Sequence, residues 1–267
     1  MALAPLPDVE PAPSPAAREE EEEDRTAKMT FLEHLDELRK RLIICVVAIA
    51  TGFAVCLAFS ARIYAFIMEP VRRTLPEGGT FIYTEPMETF MLYMKVAALA
   101  GVVVAAPVVL WQIWLFVAPG LYSHEKRFAI PFVLFSTIFF VAGALFSHYV
   151  AFPWAWAFFA SFSTDYIKFM PKVSPAFSLY AKMLLAFGLI FQMPTLVFFL
   201  ARVGGISARF LLRNFKYAVL VIFIVAAALS PGTDIVSQAL MAGPMLLLYL
   251  ISIVIAWVFA KKPSAER

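Results

Sequence analysis

The side chains able to do chemistry are sparse in this 267-residue chain and stand far apart. Three histidines, His34, His124 and His148, and two cysteines, Cys45 and Cys56, show no metal-ligand spacing. The cysteines are 11 residues apart in one apolar run, about 16 Å along a helix and too far for a bridge within the chain. No H-E-x-x-H, G-x-S-x-G or Walker A pattern occurs, and Ser147-His148 is a neighbour pair without a third member. Glu125 is the only acid in residues 118–127. It is either an acceptor for a cationic ligand or a salt-bridge partner of Lys126, Arg127 or Arg39. Gln192, followed by Met193-Pro194, puts an amide where an apolar run is expected, which suits an interhelical hydrogen bond or a contact with a partner helix. Asp234 and Gln238 are one helical turn apart, so Asp234 either caps a helix or joins Gln238 in a contact.

The elements that position these residues belong in a membrane. Hydrophobic residues make up 62% of the chain and charged residues 15%, with a mean hydropathy of +0.81, against roughly 45–50% and 25% in soluble domains. Nineteen acids nearly cancel 22 bases, so the net charge of +3 does not indicate nucleic-acid binding. Spans of about 20 apolar residues are expected near 42–60, 91–117, 128–152 and 178–203. A hairpin of two more, 217–229 and 235–258, is split by the turn-forming run Ser230-Pro231-Gly232-Thr233-Asp234. The fifth is short, about 20 Å as a helix, which predicts local bilayer thinning.

The expected fold is all-α, a polytopic membrane protein with six transmembrane helices. Lys and Arg gather on the side of the two termini and of residues 118–127 and 204–216, so both termini are expected to be cytoplasmic. The long loops, 61–90 and 153–177, then lie outside. In the second of them, Ser174-Pro175 reads as an N-cap followed by proline at the first helical position. Residues 1–28, rich in Pro, Ala and Glu, read as a disordered acidic cytoplasmic tail, residues 29–262 as the six-helix membrane domain and residues 263–267 as a short cytoplasmic tail. Ahead of the first span, Phe31, Leu35, Leu38 and Leu42 share one face of an N-terminal cytoplasmic amphipathic helix. Thr30 and Glu33 fit a capping box at its start, and Asp36–Lys40 and Glu37–Arg41 are i,i+4 ion pairs.

Four motifs in order carry a resemblance: F-x-x-H-L-x-E-L-R-x-R-L at 31–42, Glu69-Pro70, F-V-A-P-G-L-Y-S-H-E-K-R at 116–127, and S-P-G-T-D-I-V-S-Q at 230–238 followed by Gly243-Pro244-Met245. Across about residues 30–260 the chain resembles the TatC family of the twin-arginine translocase. The resemblance implies a receptor and not an enzyme, located in the cytoplasmic (inner) membrane, without a cofactor. It would bind the Arg-Arg signal peptides of folded precursor proteins for export driven by the proton-motive force. It further implies an oligomeric complex with single-span TatA and TatB-type subunits in the lipid bilayer, and no nucleic acid. Glu37 and Glu125 would be the recognition carboxylates, with His34, Leu38 and Arg39 shaping one part of the site and Phe116, Leu121, Tyr122 and His124 the other. Two guanidinium groups fit two carboxylates because each pair can be bidentate, which an ammonium cannot match. Gln192, Ser230, Asp234 and Gln238 would contact partner helices, and Glu69 and Pro70 would order an outer loop. The chain departs from the family where many relatives carry Glu at the position of Gln192. Competing readings are a small-solute transporter, against which stand the missing internal repeat and the lack of mid-membrane charge, and an intramembrane hydrolase built on Ser147 or His148.

Overall fold

The computed structural model describes residues 15–72, 81–117, 129–164, 166, 169–230 and 235–259. The elements are helical: α1 (Pro15–Ala58), α2 (Ser60–Arg72), α3 (Glu88–Val117), α4 (Ala129–Phe146), a π turn (Ser147–Ala151), α5 (Phe152–Ala160), α6 (Val173–Ile190), α7 (Met193–Val203), α8 (Ala208–Arg213), α9 (Phe215–Leu229) and α10 (Ile235–Phe259). Strand-like pairing among the described residues is limited to one parallel bridge, Ile82 to Lys172. The chain divides into two compact units, Met1–Ile44 and Cys45–Arg267.

Five helical stretches are long and apolar enough to cross a bilayer: Glu33–Ala58, Glu88–Phe116, Phe132–Ala160, Val173–Arg202 and Ile235–Phe259. The sixth apolar helix, α9, has 15 residues, about 22 Å at 1.5 Å per residue. This all-α, six-helix arrangement is the one read from the sequence, with several boundaries displaced. The helix of α1 extends back to Pro15, so residues 15–28, expected in the unordered tail, are helical here, and Thr30 lies inside the helix instead of capping it. Ala16-Ala17 and the following Glu run are good helix formers, and propagating an existing helix needs no new nucleus. Residues 1–14 and 263–267 lie outside the described residues.

The third span continues past residue 152 to Ala160. Pro153, read as a loop residue, is the second residue of α5 and directly follows the π turn, where the helix bonding is already irregular. Glu69 and Pro70, read as loop residues, lie inside α2. Pro70 lacks the N–H that would bond the Phe66 carbonyl, but it stands two residues before the helix end, so the loss is confined to the last turn. The fourth span starts at Val173 with Lys172 as N-cap, correcting the Ser174-Pro175 cap. It is also not one helix, since α6 stops at Ile190 and α7 restarts at Met193. Pro194, in the first turn of α7, cannot donate backward along α6.

Within Cys45–Arg267, α4 packs on α3 and α6, and α10 packs on α7 and α9. Two backbone approaches require glycine. A Cβ on Gly101 would lie 2.6 Å from the Phe53 nitrogen of α1, and one on Gly143 of α4 would lie 2.5 Å from the Phe187 carbonyl oxygen of α6. Side chains sealed in this core include Trp114, Phe152, Tyr180, Met183, Phe187 and Met241.

Candidate functional site

On α1 the i,i+4 pairing expected from sequence is present: Arg41 Nη2 donates to Glu37 Oε1 at 3.1 Å, and Lys40 Nζ meets Asp36 Oδ2 at 2.7 Å. His34, Glu37, Leu38 and Arg41 follow 3- and 4-residue spacing, so they line one flank of the helix. Glu37 and Arg41 are half-buried, whereas His34, Leu38 and Arg39 are exposed. Leu35, Leu38 and Leu42 present an uncovered apolar stripe beside them. Phe116, near the end of α3, is half-buried. Leu121, Tyr122, His124 and Glu125 lie outside the described residues.

The second group of expected residues surrounds the α6–α7 break. Gln192 caps α7, its carbonyl accepting from the Leu196 N–H at 2.9 Å. Its side-chain Nε2 donates to the Ser136 carbonyl of α4 at 2.9 Å, so the amide makes an interhelical bond. Beside it opens an apolar recess of about 300 Å³ lined by Leu189, Met193 and Leu196, by Val221 and Val225 of α9, and by Met245 of α10. Gln238, near the start of α10, donates to the Phe223 carbonyl of α9 at 2.9 Å, closing the hairpin. Ser230 is the C-cap of α9, donating its N–H to the Ala226 carbonyl at 2.7 Å, and Asp234 lies outside the described residues. Glu69 is 3.8 Å from Arg72 on the outer side of α2, distant in sequence from both groups.

Three further polar residues were not singled out as a unit in the sequence. Glu88, the first residue of α3, accepts the Thr84 N–H at 3.0 Å and the Ser174 N–H at 3.2 Å, so one carboxylate caps its own helix and α6 together. An acid two residues after Pro86 at the start of an apolar run was the available signal. His148 Nδ1 and the Tyr180 hydroxyl share a hydrogen bond of 3.1 Å, and the His148 ring stacks on Phe66 at 4.5 Å. Ser147 Oγ is buried without a hydrogen-bond partner, so Ser147 and His148 do not form a nucleophile and base. No group of three metal-ligating side chains occurs among the described residues.

A family profile described as Sec-independent protein translocase protein (TatC) matches residues 33–244. The TatC protein of Desulforapulum autotrophicum is 42% identical over 251 residues, covering 94% of this chain and 90% of that protein. The chain belongs to the TatC family. The Koribacter versatilis TatC is 40% identical over 260 residues, 96% of each chain. Two crystal structures of the twin-arginine translocase receptor TatC superpose with TM-scores of 0.73 and 0.76, at 34% and 35% identity. Both cover 84% of this chain, and this chain covers 97% and 99% of them. Membership in the TatC family makes the chain a transport receptor subunit of the Sec-independent translocase, a multi-pass membrane protein and not an enzyme.

Proposed function

We propose that this TatC-family chain recognises the Arg-Arg pair of signal peptides on folded precursors, with Glu37 and Glu125 as the two carboxylates. The observation that carries the reading is the Glu37–Arg41 contact: this carboxylate already holds a guanidinium at 3.1 Å on a half-exposed helix flank. An incoming arginine shares or replaces that partner, and bidentate geometry favours it over lysine. His34, Leu38 and Arg39 border the carboxylate on α1 and contact the peptide beside the arginines. Phe116, near the end of α3, and Leu121, Tyr122 and His124, close to Glu125 in sequence, contact it on the other side. The surplus of Lys and Arg on that side supports cytoplasmic termini and a bundle in the inner membrane. Export then draws on the proton-motive force through an oligomeric complex.

Single-span subunits of the TatA and TatB type dock at the recess beside Gln192 and also contact Ser230, Asp234 and Gln238. Its lining is apolar and drawn from the helices on both sides of the break, which suits a partner helix. Binding of an Arg-Arg signal peptide to membranes carrying this chain tests the main reading, with a Lys-Lys peptide as control. Charged hydrogen bonds contribute about 1.5–3 kcal/mol each, so Glu37→Ala and Glu125→Ala are each expected to weaken binding about tenfold or more. Equal binding of the Arg-Arg and Lys-Lys peptides to correctly inserted protein overturns it.

A further inference from the structure

α3 and α6 start at the same level of the bundle, because Glu88 at the head of α3 accepts the Ser174 N–H and Ile82 pairs with Lys172. From that common level two lysines sit at matched depth inside the apolar helices. Lys95 is seven residues below Glu88 and Lys182 eight below Ser174, about 10 and 12 Å down the respective axes. Both are exposed on their helices. Neither ammonium has an ion-pair partner among the described residues. Lys95 lies on the same stripe of α3 as Glu88, two turns on. Glu88 is nonetheless not its ion-pair partner, and the Glu88 carboxylate turns to the Thr84 and Ser174 N–H groups instead.

An ammonium left in hydrocarbon is costly, so each lysine must reach water or an anion. Helix direction settles which way they reach. Side chains lean toward the N-terminus of their helix, and both helices begin at the Glu88 end. With four methylenes each, both stems run along apolar helix surface toward that end and raise their charges to the headgroup boundary. What lies at that boundary beside an apolar helix face is a phospholipid phosphate.

We propose that Lys95 and Lys182 each engage the phosphate of an anionic phospholipid in the leaflet at the Glu88 end, with acyl chains lying along the exposed faces of α3 and α6. This site rests only on the membrane-spanning fold and is independent of signal-peptide recognition. The test uses the full chain purified in detergent and titrated with phosphatidylglycerol, phosphatidylcholine or inorganic phosphate, reading retained lipid by native mass spectrometry and the thermal midpoint. The wild type is expected to retain phosphatidylglycerol about tenfold better than phosphatidylcholine and to gain thermal stability from it. K95Q/K182Q should lose both effects, while K95R/K182R keeps them. Wild-type protein that does not discriminate between the two lipids, or a double glutamine variant that still does, overturns the proposal. An equal stability gain from inorganic phosphate overturns the lipid as its source.

Discussion

Two spans of this protein break their helical regularity, and the two breaks are built in opposite ways. At the π turn Ser147–Ala151, an extra residue is accommodated in the helix and the polar side chains are sealed inside. Ser147 is 0% and His148 3% exposed, and His148 is held between Tyr180 and Phe66. At the α6–α7 break, Gln192 is half-exposed, satisfied by one bond to Ser136, and bordered by an open apolar recess. π turns and proline breaks are both common at functional sites. The difference here teaches that irregularity alone does not make a docking site: the π turn has no room beside it for a partner, whereas the α6–α7 break, proposed above for docking, has about 300 Å³.

The strongest attack on this contrast is to unseat the sealed side. Gly143 places α4 against Phe187 of α6 one turn before the π turn. Gly143→Leu, whose Cβ alone meets a backbone oxygen at 2.5 Å, should therefore cost about 1–3 kcal/mol or more, seen as a fall in monodisperse yield and in the midpoint of thermal unfolding in detergent. Tyr180→Phe is the milder version. It leaves the buried His148 Nδ1 without its partner and should cost about 1–3 kcal/mol in the same unfolding assay, while signal-peptide binding is unchanged.

On the open side the effects should move from stability to association. Val221→Trp fills the recess without touching the Gln192 bond, so co-purification of a single-span partner should fall about tenfold with the unfolding midpoint unchanged. Gln192→Leu should have the smallest effect on stability, about 0.6 kcal/mol for one interhelical hydrogen bond. If it destabilises the chain as much as Tyr180→Phe, the contrast between the two breaks fails.

The sequence was informative wherever a signal was local. Apolar length located the spans, and the Asp36–Lys40 and Glu37–Arg41 spacing named both ion pairs. It was uninformative wherever the partner came from a distant segment. Glu88 reaches Ser174 across 86 positions, Gln192 reaches Ser136 across 56, and His148 reaches Tyr180 across 32. Local cues therefore gave Ser174-Pro175 the wrong role, since the acceptor for the Ser174 N–H is supplied by another helix and not by its neighbours. The prolines at 70 and 153 misled for a related reason. Proline disfavours a helix interior without forbidding it: Pro70 stands in the last turn of α2 and Pro153 directly after the π turn, settings that composition alone does not show. Of the candidate peptide site, the α1 half came from the family resemblance of the motif at 31–42, helical spacing giving only its ion pairs and apolar face, and the half around Glu125 lies outside the described residues.

The Glu88 carboxylate also imposes an order on biosynthesis. Its partner Ser174 is made 86 residues later, which at about 5–20 residues per second is roughly 4–17 s of further translation. During that interval the carboxylate has only its neighbours Thr84 and Glu85 and water to pair with, so the head of α3 is held at the aqueous boundary while the third span is completed. The bond to α6 can form only once the fourth span has arrived, which makes it a clasp closed late in assembly and a marker that the first four spans have found their final register.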